Sequence, residues 1–551
     1  MNKNIFFGII LIQFLLSISC STEQKNNRSD RGYNGLSPRT VEEKESDGAV
    51  YPTEAAPMKS YSKDLRKREV LSGRNNPNFN TENYDRIYEN QFLDVKNKPL
   101  STFSIDVDTA SYANVRRFLN EGSLPPKDAV RIEEMVNYFS YRYPSPDGNV
   151  PFSVTTETSE SPWNKKNQLL MIGLQGRNIA KENIPPRNLV FLLDVSGSMM
   201  SQDKLPLLIQ SMKMLTNQLS EKDTVSVVVY AGASGLVLPP TSGYNKNKIH
   251  EALNELEAGG STNGGAGIEL AYKIAKENFK TNGINRVILA TDGDFNVGIA
   301  SEGDLVRLIE KKREDGIFLT VLGFGTGNLK DSTMEKLADK GNGNYAYIDS
   351  ESEANKVLVT EAGSTLVTIA KDVKLQIEFN PAYVHSYRLI GYENRVLQDE
   401  DFNNDKKDAG EIGAGHTVTA LYEIIPTEAG KNIPSTVDPL KYQSNPQLSQ
   451  AAKAEELATV KIRYKEPQGT KSTLISKTIP AGKKSFNSSS ENLRFAAGVA
   501  AFGMILRDSE FKGSSNYEMV KAIAGNAKSS DENGYRAEFI KLVEKASRLS
   551  L

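Results

Sequence analysis

Asp194-Val-Ser-Gly-Ser198 sets one carboxylate and two hydroxyls at alternate positions, directly after the apolar run Leu189-Val-Phe-Leu-Leu193. Hard cations take oxygen ligands, and short Asp and Ser side chains around a glycine can gather several in one tight turn. A second carboxylate, Asp292, stands in Thr291-Asp-Gly-Asp294, after the apolar run Val287-Ile-Leu-Ala290. Between them, Thr262 sits in the glycine-rich stretch Gly259-Gly-Ser-Thr-Asn-Gly-Gly265. Converging, these residues would offer three hydroxyls and two carboxylates to one cation. The chain has few other groups for chemistry: three histidines (His250, His385, His416) and one cysteine, Cys20. That excludes a disulfide framework and a cysteine-based zinc cluster.

The elements that must bring the oxygens together run from about Arg187 to Gly363. Leu189–Leu193 is continuously apolar, as a strand buried on both faces of a parallel sheet must be. Leu205, Leu208, Ile209, Met212, Leu215 and Leu219 make one helical face. The spacing predicts strands at Thr224–Tyr230, Val287–Ala290 and Ile317–Leu322, and helices at Ile249–Leu256, Ile268–Phe279 and around Leu305–Ile309. Ser301 with Asp304 caps the last of these, and Gly316 ends it. Strands alternating with helices predict a doubly wound α/β sheet. Open sheets of this kind bind ligands beyond the C-terminal strand ends, where the winding direction switches. Asp194, Ser196, Ser198 and Asp292 all follow apolar strands and so fall in that zone, with Thr262 in the glycine-rich loop between them.

This combination resembles the von Willebrand factor type A domain and its metal-ion-dependent adhesion site. The family pattern is Asp-x-Ser-x-Ser, then a Thr in a second loop, then an Asp after a later strand. Asp194, Ser196, Ser198, Thr262 and Asp292 match it without substitution and in order. The resemblance implies that Ser196 and Ser198 ligate Mg²⁺ through their hydroxyls, with Ca²⁺ or Mn²⁺ as other candidates. Thr262 would bind directly or through water, and Asp194 and Asp292 would act mainly through bound water and by charge. One open position would accept a carboxylate from a protein partner. Mg²⁺ keeps waters and uses few protein carboxylates, which suits this set, whereas Zn²⁺ prefers Cys and His. Asp294, Phe295 and Asn296 stand beside the motif and could steer a partner or only shape the turn.

The flanks say where such a site would work. Lys3, the apolar core Ile5–Leu16 and Ser17-Ile-Ser-Cys20 form a signal peptide over residues 1–20, too short to span a bilayer. It resembles the start of bacterial lipoproteins, with Cys20 as the lipidated residue and Ser17 where Leu is usual. A translocated protein lipid-anchored to a membrane of the bacterial cell envelope is the expectation. Residues 21–88 are polar and rich in Ser, Asn and Pro, and predict a disordered tether. An N-terminal α+β flank is expected at 89–149, where Asp108 or Thr109 caps a helix carrying Tyr112, Val115, Phe118 and Leu119. Strands at 150–177 and 371–480 are expected to form one β-sandwich with the type A block 187–363 inserted in it, because two strands alone are marginal. Asp399–Asp405 reads as a solvated hairpin tip. A helical cap is expected at 490–551, its Ala-rich face packed as core. Such flanks further resemble those of bacterial envelope lipoproteins that carry a central type A domain.

Charge sets limits on partners. Lys+Arg 67 against Asp+Glu 69 gives no basic excess, which argues against nucleic acid. Enzyme signatures fail: His250-Glu-Ala-Leu-Asn254 lacks the second His of a zinc protease, and Gly323-Phe-Gly-Thr-Gly327 lacks the Lys-Ser/Thr of a phosphate loop. The expectation is therefore a non-enzymatic, membrane-tethered module that grips an acidic side chain of a protein partner through the metal. A structural or assembly lipoprotein, whose metal is incidental, is the alternative. A metal-dependent hydrolase is a third class that no nucleophile motif supports.

Overall fold

Strand Arg187–Asp194 is buried along its whole length and has a parallel neighbour on each side. The computed structural model describes residues 81–231, 234–260, 264–293, 302–431, 441, 447–528 and 530–551. All lie in one compact unit, Pro77–Leu551. From one edge, the six-stranded sheet runs Tyr345–Ile348, Phe318–Phe324, Ile284–Thr291, Arg187–Asp194, Thr224–Tyr230 and Ser234–Ser242. All neighbours are parallel except the last pair. The chain winds outward from Arg187–Asp194 to one edge, then returns beside it at Ile284–Thr291 and winds to the other. The switch in direction falls between these two strands, where an open sheet forms its ligand crevice. Two apolar cores, one per sheet face, complete the doubly wound α/β layer. The edge strands Ser234–Ser242 and Tyr345–Ile348 were not expected. The first carries Pro239 and Pro240, which an edge tolerates because its outer N–H groups need no partner.

The strands before and after this layer share a sheet. Phe152–Glu160 and Gln168–Gly176 pair with each other, and the second pairs with Thr417–Pro426. Val384–Ile390 and the short Leu93–Asp94 complete five strands. The facing sheet joins Gly410–Gly413, Thr368–Phe379, Glu456–Lys465 and Thr473–Pro480, with Leu100–Ser104 also on Thr368–Phe379. Phe103, Ile172, Leu375, Tyr422 and Ile462 fill the core between the sheets. The α/β layer is thus inserted into a β-sandwich, and the N-terminal flank contributes a strand to each sheet.

The other face of the first sheet is covered too. Leu169, Met171, Ile390 and Leu421 pack with helices Ala110–Asn120 and Ile132–Asn137 and with the C-terminal helices Glu491–Arg507, Tyr517–Asn526 and Tyr535–Leu549. Flank and cap therefore form one core, not two separate regions. Burial on both faces explains why Leu169-Leu-Met-Ile-Gly-Leu174 is continuously apolar. Residues 81–88 depart from the expected tether. Asn83 N–H donates to the Leu329 carbonyl, and Glu82 binds Arg117 at 2.8 Å, so polar partners replace the missing apolar burial. Asp399–Asn403 is a 3₁₀ turn closed by Gln398 and Asp401, with Phe402 buried, rather than a hairpin tip.

Arg116 ties the parts together. From the flank helix it reaches Asp349 (2.5 Å) and Glu353 (2.7 Å) of the α/β layer and Glu538 (3.2 Å) of the cap. Removing one partner of a buried ion pair typically costs about 3–5 kcal/mol, because the other charge stays buried. Arg116→Met is expected to lower unfolding stability by about that amount in urea titration; a loss below about 1 kcal/mol, the range of exposed pairs, would contradict this role.

Candidate metal centre

Adjacent strand ends bring the first and last motifs together. Asp194 closes the central strand and Asp292 follows its parallel neighbour by one residue. Both are fully buried. Asp194 is held rigidly: its Oδ1 accepts the Ser196 N–H at 2.9 Å, and its Oδ2 accepts the hydroxyls of Tyr230 (3.2 Å) and Thr291 (3.0 Å). The hydroxyls of Ser196 and Ser198 lie 2.9 Å apart, and Ser198 also hydrogen-bonds Asp292. Four of the five expected residues are therefore one contiguous set of oxygens. Thr262 lies outside the described residues, as do Ser301, Asp294, Phe295, Asn296 and Cys20. The glycine-rich stretch is fastened to the motif where it is described: Gly259 N–H donates to the Val195 carbonyl (2.8 Å), and Gly197 N–H to the Gly260 carbonyl (3.1 Å).

The set opens outward. Ser196 is buried, Ser198 is exposed, and Met200 beyond it is 70% exposed. Electrostatically the two acids differ. Burial raises the Asp194 carboxyl above its usual range, and the Asp292 charge adds to this against the hydrogen bonds from Ser196 and Thr291. Burial pushes Asp292 the same way, but hydrogen bonds from Lys204 and Asn328 and the ammonium charge hold it below its usual range. Lys204 is the residue that motif spacing missed. Its Nζ lies 2.8 Å from Asp292 Oδ2 and 3.0 Å from Asn328 Oδ1. The available signal was a lysine immediately before the apolar face starting at Leu205. Tyr230 and Thr291 were missed because each is the last residue of a strand, where it reads as sheet rather than as site.

The donors fit a hard divalent ion: hydroxyl and carboxylate oxygens converge, and no thiol or imidazole stands among them. Gly293 (φ +98°) shapes the last turn. A Cβ there would meet the Lys330 nitrogen at 2.5 Å, so the loop through Asn328 can pack tightly on it.

Comparison with known proteins identifies the family of the α/β layer. The von Willebrand factor type A domain family matches residues 188–361, and a von Willebrand factor family matches 78–171. The family of the C-terminal part of the uncharacterized protein YfbK matches 364–549. Uncharacterized protein YfbK of Escherichia coli K12 is 48% identical over 473 residues, covering 85% of this chain and 81% of that protein. Inter-alpha-trypsin inhibitor heavy chain H3 of Homo sapiens is 26% identical over 298 residues, half of this chain and 33% of that protein. A solved von Willebrand factor type A protein from Catenulispora acidiphila covers 72% of this chain and 89% of its own, at 17% identity and a TM-score of 0.38.

A second acidic cluster lies away from this site. Asp108, Glu134 and Glu335 bring carboxylate oxygens within 4.8 Å of one another. Asp108 does not cap the flank helix as expected, and neither does the Thr109 side chain: Asp108 Oδ1 accepts the Tyr345 N–H at 2.7 Å instead. Arg131 binds Glu134 and Asp331, and Arg395 binds Glu335 (3.1 Å), Asp339 (2.8 Å) and Asp106 (3.3 Å), so arginines supply the counter-charge. Burial, against the pull of Arg395, lifts Asp106 from 3.8 to about 7. A folded chain then keeps a proton that the unfolded chain releases, so stability falls as pH rises from about 4 to about 7. Asp106→Asn is expected to make that fall shallower in thermal melts. Glu133, also raised to about 7 by burial and by Glu393, supplies a remainder. An unchanged slope would contradict the assignment.

Proposed function

The chain belongs to the family of Escherichia coli YfbK, proteins built around a von Willebrand factor type A domain, and from that premise we propose that its metal centre grips an acidic side chain of a protein partner. The carrying observation is the continuous oxygen set Asp194–Ser196–Ser198–Asp292 at the sheet's switch point, buried at one end and open at the other. Ser196 and Ser198 would hold Mg²⁺, with Thr262 as a further donor and Asp194 and Asp292 acting through water and charge. When bound, the ion supplies a Lewis-acidic position for a carboxylate oxygen. The protein's own residues do the rest. Tyr230 and Thr291 fix Asp194, the Ser196–Ser198 contact fixes the hydroxyls, and exposed Met200 offers apolar contact beside the opening. Neutral hydroxyls leave the ion electrophilic, which favours binding an anion. Among the described residues no nucleophile or base motif stands around the site, which favours a binding module over a hydrolase.

The same reading places the module outside the cytoplasm. Cys20 would be lipidated after removal of the signal peptide, and residues 21–80 would span the distance to a membrane of the cell envelope. The partner would be a protein of that compartment with an exposed Asp or Glu. A purely structural or assembly lipoprotein remains the competing reading, and metal binding separates the two.

Ser198 is exposed but hydrogen-bonds the buried Asp292, so Ser198→Ala is expected to cost about 1–2 kcal/mol of stability and still fold. Its Mg²⁺ affinity, measured by titration calorimetry, should fall at least about tenfold, as should that of Asp194→Ala. Equal and negligible heats for wild type and variants would overturn the metal-dependent reading. Separately, radiolabelled palmitate should enter the wild-type protein and not Cys20→Ser; equal labelling, or none in wild type, would overturn the anchor.

A further inference from the structure

Lys204 places an ammonium group beside the oxygens proposed to hold the metal, and the fold is shaped to hold it there. Its side chain is only 9% exposed, and its Nζ lies 2.8 Å from Asp292 Oδ2 and 3.0 Å from Asn328 Oδ1. The aliphatic stem crosses Gly325, where a Cβ would meet Lys204 Cγ at 2.3 Å and Cε at 2.4 Å. Gly325 has φ +72°, a conformation that other residues adopt at a cost, and its carbonyl is fixed by the Tyr347 hydroxyl at 2.9 Å. The backbone is held as well: Lys204 N–H donates to Ser201 (3.0 Å), and its carbonyl accepts from Leu208 (2.8 Å). A lysine serving only as filler needs neither a glycine channel nor an ion pair at its end.

We propose that Lys204 tunes the charge of the metal centre, making the loaded site an acceptor for carboxylates while weakening its hold on the metal itself. This rests on the metal-dependent reading above. The formal charges carry the argument. Asp194 and Asp292 with Lys204 sum to −1, and a divalent ion brings the site to +1. An incoming carboxylate then brings it to 0, so the ligand neutralises a buried excess. Without Lys204 the same three states are −2, 0 and −1, and the ligand instead leaves a buried net charge. Like charges a few ångströms apart in a half-buried site interact strongly, so Lys204 opposes the ion and favours the anion. Metal and acidic ligand thereby become mutually supporting, each raising the affinity of the other by the same factor. The ligand class that follows is an anionic side chain, a carboxylate, in preference to a neutral amide of the same shape.

The test is calorimetric titration of the full folded chain with MgCl₂, with and without acetate as the carboxylate probe and acetamide as its neutral control. Lys204→Met keeps the stem and removes the charge. Its Mg²⁺ affinity without acetate is expected to rise about tenfold or more, and the enhancement by acetate seen in wild type is expected to shrink by a similar factor. Opposite changes in the two affinities are the signature, because a lysine with a merely structural role would weaken both. If Lys204→Met does not fold by circular dichroism, Lys204→Gln carries the same expectation. A folded variant whose Mg²⁺ affinity is unchanged or lower, or whose response to acetate equals that of wild type, overturns the role of Lys204 and leaves the metal centre standing. Wild type and variant both silent to Mg²⁺ overturn the metal centre and this inference with it. A silent wild type beside a variant that binds supports the role of Lys204 and overturns Mg²⁺ as the resident ion.

Discussion

Two carboxylates, Asp194 and Asp292, are desolvated at the ends of neighbouring parallel strands, and much of the local structure answers that single cost. Burying an unpaired charge is expensive, so each buried carboxylate must be hydrogen-bonded, paired or bound to a cation. Asp194 is met by a backbone N–H and two hydroxyls, and Asp292 by an ammonium group and an amide. The strand order makes the juxtaposition unavoidable. Because the winding direction reverses between Arg187–Asp194 and Ile284–Thr291, their C-terminal ends meet with no crossover loop above them. The glycines at 293 and 325 then let the surrounding turns approach closely enough to enclose the pair.

The rest of the molecule holds this layer by insertion and by buried charge. Chain that enters and leaves the α/β block passes through one β-sandwich, so the block is fixed at both of its ends. Helices from the two termini share one core against the outer face of the same sandwich. Arginines bridge the joints: Arg116 between flank, α/β layer and cap, Arg131 and Arg395 between flank, sandwich and α/β layer. The segment at 81–83 is pinned to Gly327 and Leu329, next to Asn328, which hydrogen-bonds Asp292 and Lys204.

How much of this was legible in the sequence follows from which interactions are local. Leu189–Leu193 declares itself by its unbroken apolar run, the helix carrying Leu208 and Met212 by its period, and the oxygen motif by its spacing. The α/β order then locates Asp292 beside Asp194 without any knowledge of contacts. Pairing of strands about 250 residues apart, such as Gln168–Gly176 with Thr417–Pro426, follows in the sequence only from the instability of two lone strands. Long-range polar contacts were not legible. Asp108 looked like a helix cap because local rules favour that use, whereas it accepts an N–H from Tyr345, more than two hundred residues away. Residues 81–88 looked like tether because their partners, Gly327 and Arg117, are distant and polar. Lys204 was hidden for the same reason, since nothing in its neighbourhood in sequence announces a carboxylate.

The most direct test of the central claim is to locate the ion. Crystals of the full chain grown with Mn²⁺, examined by anomalous scattering, should show one strong peak beside the hydroxyls of Ser196 and Ser198, with Asp194 and Asp292 behind it. A peak instead among Asp108, Glu134 and Glu335, or no peak at millimolar Mn²⁺ with the Ser196–Ser198 site open to solvent, would contradict the account.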